Sequence, residues 1–392
     1  MVLWPLAMMH PPQKDERILV AMSGGVDSSV AAALLREQGY EVVGVTLHLW
    51  DAQGKHRIGR CCAPEDREDA RRTCEALNIP HFVIDEREAF RREVVDPFVE
   101  AYRSGITPSP CVACNQSVKL GRLWEIAQQL GCSRIATGHY ARLEFGENGE
   151  VQLRRGRDPD KDQSYFLFGV DLQLLRRLIF PLGDFTKAQT RKEGERLGVP
   201  NFAKKDSQEL CFVPDGNVAI FVEERCTEKG EKAPSPGPIL GLDGRVLGVH
   251  QGIHRFTIGQ RRGLGLGGGA PRYVLRIIQE QNAVVVGSEE ELYSHVLFVD
   301  QAHWLIPPPN APFEALVQAR YRHRASPALV IPNENGFLVE FHEGQRALTP
   351  GQAAVIYLGD RVIGGGIVQK VEPRSPLSRS ALAMHHDRED GL

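Results

Sequence analysis

No run in this 392-residue chain approaches the ~20 consecutive apolar residues that a membrane-spanning helix needs, so no membrane is expected among its partners. The first sixteen residues lack a basic n-region and a small-residue cleavage site, which argues against a secretory leader. A loose, disordered extension over 1–16 is expected instead. The Arg-rich pattern of a transit peptide is missing too, and the expected location is cytoplasmic. Charge of one sign is also missing. Lys and Arg number 47 against 50 Asp and Glu, for a formal net charge of −3. That balance argues against a general polyanion binder but does not exclude an RNA-binding protein, because phosphate contacts depend on local basic patches. With no export signal, the 8 cysteines do not read as a secreted disulfide framework. Buried apolar residues, metal ligands and reactive thiols remain. There is no internal repeat.

What is present is an ordinary globular composition, 42% apolar and 25% charged, over a length that suits two or three domains. The first half alternates strand and helix. The apolar run 18–22 predicts a strand, and VAAALLREQ predicts a helix that Gly39 stops. Strands follow at 41–49, 81–85 and 134–137, and helices at 65–77, 87–103 and 116–130. Strands separated by helices of this length imply an α/β fold with a doubly wound parallel sheet, placed over 17–219. A small central domain is expected over 220–287, where 227–250 is rich in Gly, Pro and Lys. Over 288–373, strand-like runs at 316–322, 328–331, 336–342, 353–358 and 361–371 are separated by turn residues, which predicts an antiparallel β-barrel. A polar tail, 374–392, is expected to be disordered.

The segment Ser23-Gly24-Gly25-Val26-Asp27-Ser28-Ser29 lies between the first predicted strand and helix. That is where an open α/β sheet binds phosphate, against helix amides. Gly24 and Gly25 allow close backbone approach and positive φ. Asp27 is suited to cap the helix or to help place Mg²⁺. The loop has no lysine, so it is not the GxxxxGK(S/T) loop. It resembles the loop of the PP-loop ATP pyrophosphatases, and that resemblance implies ATP cleavage to AMP and pyrophosphate with adenylation of a substrate oxygen. A GxGxxG match at 263–268 is set aside, because a strand-like run follows it rather than the helix a dinucleotide site requires.

Cys114 lies in TPSPCVACN just before the predicted 116–130 helix, and Cys111 forms a CxxC pair with it. A thiol at a helix N-terminus has a lowered pKa. Cys211 stands in DSQELCFV about a hundred residues on. Cys74, Cys132 and Cys226 read as small buried residues. Cys61-Cys62 is ambiguous, since adjacent cysteines are poor metal-ligand spacing.

Taken in order, SGGVDSS, TPSPCVACN, ATGHYARL, KDQSYFL, PLGDFTK, DSQELCFV, FTIGQRRGLG and LTPGQAAVIYLGD resemble the tRNA-specific 2-thiouridylases of the MnmA/TrmU type over about 17–373. The resemblance implies a tRNA-uridine 2-sulfurtransferase. ATP binds at Ala21, Met22, Ser23, Gly24, Gly25, Val26, Asp27 and Ser28, with Leu47 and Gly138 on the adenine and ribose side. The C2 oxygen of the wobble uridine is adenylated. Cys211 carries a persulfide received from a sulfur-relay protein or cysteine desulfurase, and Cys114 forms a disulfide with it as sulfur leaves. The family's base-contacting tripeptide is often Asn-Pro-Asp; here it is Ser109, Pro110 and Cys111. That departure puts the aspartate's acid/base role in doubt. It also gives three thiols (Cys111, Cys114, Cys211) that suit a 4Fe–4S cluster as a variant mechanism.

An RNA substrate requires a splayed anticodon-loop base and backbone contacts. Basic clusters stand at Arg154, Arg155, Arg157 and Lys161, at Arg255, Arg261 and Arg262, and at Arg320, Arg322 and Arg324. The resemblance selects His139, Lys161, Asp162, Gln163, Arg320, Tyr321 and Gln352 as tRNA contacts. Two other readings are a PP-loop ligase for a small molecule and a non-catalytic RNA-binding protein. The first needs no cysteine pair, and the second needs no intact phosphate loop.

Overall fold

The computed structural model describes residues 16–51, 64–146, 148–205, 210–213, 216–267 and 269–372. The extension before residue 16, the tail after 372, Cys61-Cys62, 206–209 of the Cys211 motif and Gly268 lie outside the described residues. The chain divides into two compact units, the first comprising 1–96, 110–216 and 360–363, the second 97–109, 217–359 and 364–392.

The first unit is built on a parallel sheet of β1 (Arg17–Ala21), β2 (Glu41–His48), β3 (His81–Asp85), β4 (Arg134–Ala136) and β7 (Leu178–Ile179), in the order β3-β2-β1-β4-β7. Ile18, Leu19 and Val20 of β1 are fully buried, which is why the central strand reads as an unbroken apolar run. α1 (Val26–Glu37) and α2 (Pro64–Ala76) are the crossovers beside β1 and β2. α1 ends as expected. Gly39 has φ +91°, its N–H bonds Arg36 O, and Tyr40 N–H bonds Leu35 O, a Schellman cap. Sheet order reverses between β1 and β4, so the ends of these two strands flank the crevice where such sheets bind ligands.

Two helical stretches depart from the expected regular helices. α3 (Arg87–Phe90), a π-helical turn (Arg91–Val95) and α4 (Asp96–Arg103), which belongs to the second unit from Pro97 on, make the first. α5 (Pro110–Ala113), a second π turn (Cys114–Lys119) and α6 (Leu120–Gln129) make the other. The second begins six residues earlier than its periodicity suggested, because Pro110 starts it with a preset φ and no N–H to satisfy. A hairpin of β5 (Ala141–Phe145) and β6 (Val151–Arg155), α7 (Leu172–Leu175) and α8 (Lys187–Arg196) complete this unit.

The second unit holds α9 (Val218–Glu228) and a four-stranded sheet, β10-β11-β8-β9, formed by β8 (Gly237–Leu240), β9 (Val246–His250), β10 (Tyr273–Ile278) and β11 (Ala283–Gly287). Its core is Ile239, Ile253, Phe256, Val274, Val284 and Val286. A strand, β10, follows residues 263–267, so the GxGxxG match has no helix. The remaining strands are β12 (Tyr293–Trp304), β13 (Phe313–Gln318), β14 (Ser326–Pro332), β15 (Gly336–Arg346), β16 (Ala353–Leu358) and β17 (Arg361–Glu372). They run β12-β15-β14-β13-β16-β17, and β12 pairs with both β15 and β17, which closes the antiparallel barrel. The strand expected over 316–322 ends at Gln318 instead. Gln318 Nε2 donates to Tyr321 O at 2.8 Å and fixes a turn there. No described helix is long and apolar enough to cross a membrane.

Candidate active site

β1 delivers Ala21 and Met22 to the carboxyl edge of the sheet. Met22 N–H donates to Val45 O and its carbonyl accepts from Thr46 Oγ1, both at 2.8 Å. The chain then turns into α1. Gly24 has φ +71°, and a Cβ there would lie 2.0 Å from the Asp66 carbonyl oxygen, so only glycine fits. Ser28 Oγ accepts from Ser23 N–H and donates to Gly25 O, each at 3.1 Å. Ser29 Oγ donates to Gly25 O at 3.0 Å. The serines thus brace the turn from within. Gly25 supplies no side-chain cap, and the first N–H groups of a helix are where an anion is stabilised.

Asp27 is neither a cap nor isolated. Lys187 Nζ, at the start of α8, donates to its two oxygens at 2.7 and 2.9 Å, and Tyr140 OH donates to Oδ1 at 2.8 Å. Sequence reasoning did not single out Lys187 or Tyr140, although both stand in recognised motifs, PLGDFTK and ATGHYARL. Gly138 has a packing reason. A Cβ there would come within 2.7 Å of Asp27 C and Ser28 N, so the turn after β4 lies directly on the start of α1. Leu47 is buried near the end of β2. Ala21 to Ser28, Leu47 and Gly138 therefore share one edge of the sheet.

Lys204 was also missed. Its Nζ donates to Gly24 O at 3.1 Å, to Asp66 Oδ1 at 2.5 Å and to Asp69 Oδ2 at 2.6 Å, and Asn201 Nδ2 reaches Gly24 O at 3.0 Å. Burial works against the ammonium, but the two carboxylates outweigh it and hold its pKa above the ordinary lysine value.

His139 packs edge-on against Phe180 with ring centroids 5.9 Å apart, and its Nδ1 lies 2.7 Å from Thr137 Oγ1. Burial, reinforced by the charge of Lys119, pushes its pKa down to about 3, so the imidazole is neutral at physiological pH. The folded state therefore binds its proton less readily than the unfolded chain. The stability this gives is complete above the unfolded value of 6.5 and is lost as pH falls towards 3. His139→Gln should flatten the acid limb of unfolding temperature against pH in that window. An unchanged limb would show that His139 titrates normally.

The cysteines occupy three environments. Cys111 is exposed on α5, Cys114 is buried at the start of the π turn and Cys211 is half-buried. The expectation that Cys114 sits at a helix N-terminus is corrected. A full α-turn precedes it, so the N-terminal dipole lies over Pro110–Ala113 rather than over its thiol. Phe212 packs edge-on against Phe90 of α3 at 5.6 Å, and α3 packs against the π turn that begins with Cys114. One helix thus supports both cysteine segments. Among the described residues no group of three or more His, Cys, Asp or Glu side chains is arranged to hold a metal ion. Burial raises Cys74 to about 12 and Cys132 to about 11, and it raises Cys226 as well, which suits their reading as packing residues.

The residues selected for RNA are unevenly placed. Asp162 accepts from Gly156 N–H, Ser164 N–H, Arg155 Nη1 and Ser164 Oγ at 2.8–3.1 Å, which fills the roughly four acceptor positions of a carboxylate. Gln163 Oε1 accepts from Tyr140 N–H at 3.0 Å. Together they fix the turn that carries Lys161. Arg154 is ion-paired with Asp360 and Glu144. In the second unit, Arg320 Nη1 reaches Ala347 O at 3.4 Å, and Arg320 and Tyr321 lie in the turn after β13. Gln352 Nε2 donates to Thr107 O at 2.8 Å and Pro108 O at 3.1 Å, and so holds the segment that leads into Ser109.

A PP-loop-like turn at the switch point of a parallel sheet, followed by a mixed sheet and a closed barrel, defines an ATP-handling α/β protein with two β-domains appended. Family models match each part: a tRNA methyl transferase HUP domain over 16–215, a tRNA methyl transferase PRC-barrel domain over 227–288 and an aminomethyltransferase β-barrel domain over 294–368. The chain is 49% identical to a tRNA-specific 2-thiouridylase MnmA of Sorangium cellulosum, covering 91% of this chain and 93% of the relative. It is 44% identical to that of Koribacter versatilis, with 90% and 99% covered, and 46% identical to that of Acidithiobacillus ferrooxidans, with 91% and 99% covered. The chain belongs to the MnmA family of tRNA-specific 2-thiouridylases.

Proposed function

We propose that the protein is an ATP-dependent tRNA-uridine 2-sulfurtransferase acting on the wobble uridine of the anticodon loop. The observation that carries this reading is the phosphate loop at the β1/β4 switch point together with two cysteine segments that rest on the same helix, α3. ATP lies along Ala21 to Ser28, with its phosphates against the uncapped end of α1. Asp27, the carboxylate on the loop itself, whose side chain is about a third exposed, would help hold the Mg²⁺ that accompanies those phosphates. The uracil C2 oxygen attacks the α-phosphorus and pyrophosphate leaves, which turns a poor leaving group into AMP. A sulfur-relay protein or cysteine desulfurase supplies a persulfide on Cys211. Cys114 thiolate attacks the inner sulfur, the terminal sulfur departs as hydrosulfide to C2, AMP leaves, and the new Cys114–Cys211 disulfide awaits a reductant. These steps use only Cys114 and Cys211, and none runs through a 4Fe–4S cluster.

The same reading assigns 17–219 to ATP and sulfur chemistry, 220–287 to the central domain and 288–373 to tRNA binding, with 1–16 and 374–392 as extensions. Lys161, Arg320, Tyr321 and His139 face RNA. Asp162, Gln163 and Gln352 support them and the Ser109-Pro110-Cys111 base site. The test is to incubate the protein with ATP, a persulfide donor and unmodified tRNA, and to measure AMP, pyrophosphate and 2-thiouridine. One AMP and one pyrophosphate per thiolated base are expected. Pyrophosphate release that ignores tRNA would instead favour a small-molecule ligase.

A further inference from the structure

Two carboxylates stand where a polyphosphate should be repelled. Asp66 and Asp69 lie on α2, and the backbone of Asp66 is so close that Gly24 has no room for a Cβ. Asp66 is almost wholly buried, so water screens it poorly. One ammonium, Lys204, bonds both carboxylates and also the Gly24 carbonyl of the phosphate loop. Lysine has three donors, and these three contacts use all of them. Reaching out to a phosphate would mean giving up two charge-assisted bonds in a site where the Lys204 side chain is only 16% exposed.

We infer that Lys204 is a positioning residue for ATP: it stays on Asp66 and Asp69, neutralises them, and so permits a polyanion to bind at Gly24. The loop lacks the lysine found in GxxxxGK(S/T) loops, and here a lysine supports the loop from behind instead of holding the phosphate. The inference rests on the ATP reading above, and its test separates the two.

The test is calorimetric titration of the whole chain with the α,β-methylene analogue of ATP at low and high salt. Wild type should bind. If it does not, the ATP reading itself falls, and the inference with it. Lys204→Met should weaken binding on the order of ten-fold at low salt, and less at high salt, as screening shrinks the repulsion. Lys204→Met with Asp69→Asn should return to within about three-fold of wild type, because one charge is removed from each side. Asp69→Asn alone, nearly isosteric, should bind the analogue more tightly than wild type, which keeps the inference testable if Lys204→Met fails to fold. A loss in Lys204→Met that Asp69→Asn does not restore would mean direct phosphate contact and overturn the shielding role. Unchanged affinity in both single variants would overturn it as well.

Discussion

Cys211→Ser should abolish tRNA thiolation, by at least ~10³-fold in single turnover, while tRNA binding stays within a few-fold and tRNA-dependent pyrophosphate release continues. Serine matches the size of cysteine but cannot carry sulfane sulfur. The neighbouring residues make this a clean substitution. Phe212 and Val213 are buried, and Phe212 is anchored on Phe90, so the segment is held by residues other than the cysteine. Cys114→Ser should also stop multiple turnover, but from a different point: persulfide on Cys211 should persist and be trapped by an alkylating reagent. Loss of tRNA binding in Cys211→Ser would assign that residue a structural role. Thiolation surviving in it would remove the persulfide from the mechanism.

The contrast between Cys111, Cys114 and Cys211 bears on how sulfur is held. Cys114 is buried and its thiol lies a full turn inside a helical stretch, so the N-terminal dipole is not aimed at it. The π turn is the local feature that distinguishes it, and such turns are frequent at functional sites. Cys111, exposed on the preceding turn, stands in the tripeptide expected to meet the target base.

The doubly wound sheet was legible because its strands are continuous apolar runs punctuated by caps such as Gly39. The barrel was legible from its turns. Of the central sheet, β10 was legible as the strand-like run after 263–268. β8 and β9 were not, being short and glycine- or proline-bearing. The π turns were hidden because one extra residue per turn shifts the hydrophobic phase only locally. In the site, the loop glycines and serines announced themselves, since their residue types are dictated by backbone geometry. Lys187, Lys204 and Tyr140 did not. Each acts across more than a hundred residues of sequence on Asp27 or Gly24, and nothing in local spacing records a tertiary ion pair.

Asp27 shows how far such a pairing changes a functional test. Asp27→Asn should lower pyrophosphate release ~10²-fold or more, as a charged group beside the reacting phosphates is lost. It should also destabilise the fold by about 1–2 kcal/mol. That is below the ~3–5 kcal/mol of a fully buried broken pair, because Lys187 is 14% exposed and Asp27 32%. The two effects have different origins and a second substitution separates them. In Asp27→Asn with Lys187→Met, no ammonium is left unpaired, so thermal stability should return to within ~1 kcal/mol of wild type. Pyrophosphate release should not return, if the carboxylate serves the nucleotide and its metal. Recovery of both in the double variant would mean that Asp27 serves only to neutralise Lys187. Normal pyrophosphate release in Asp27→Asn alone would place the residue outside the chemistry and leave the loop backbone, with the first turn of α1, as the whole phosphate site.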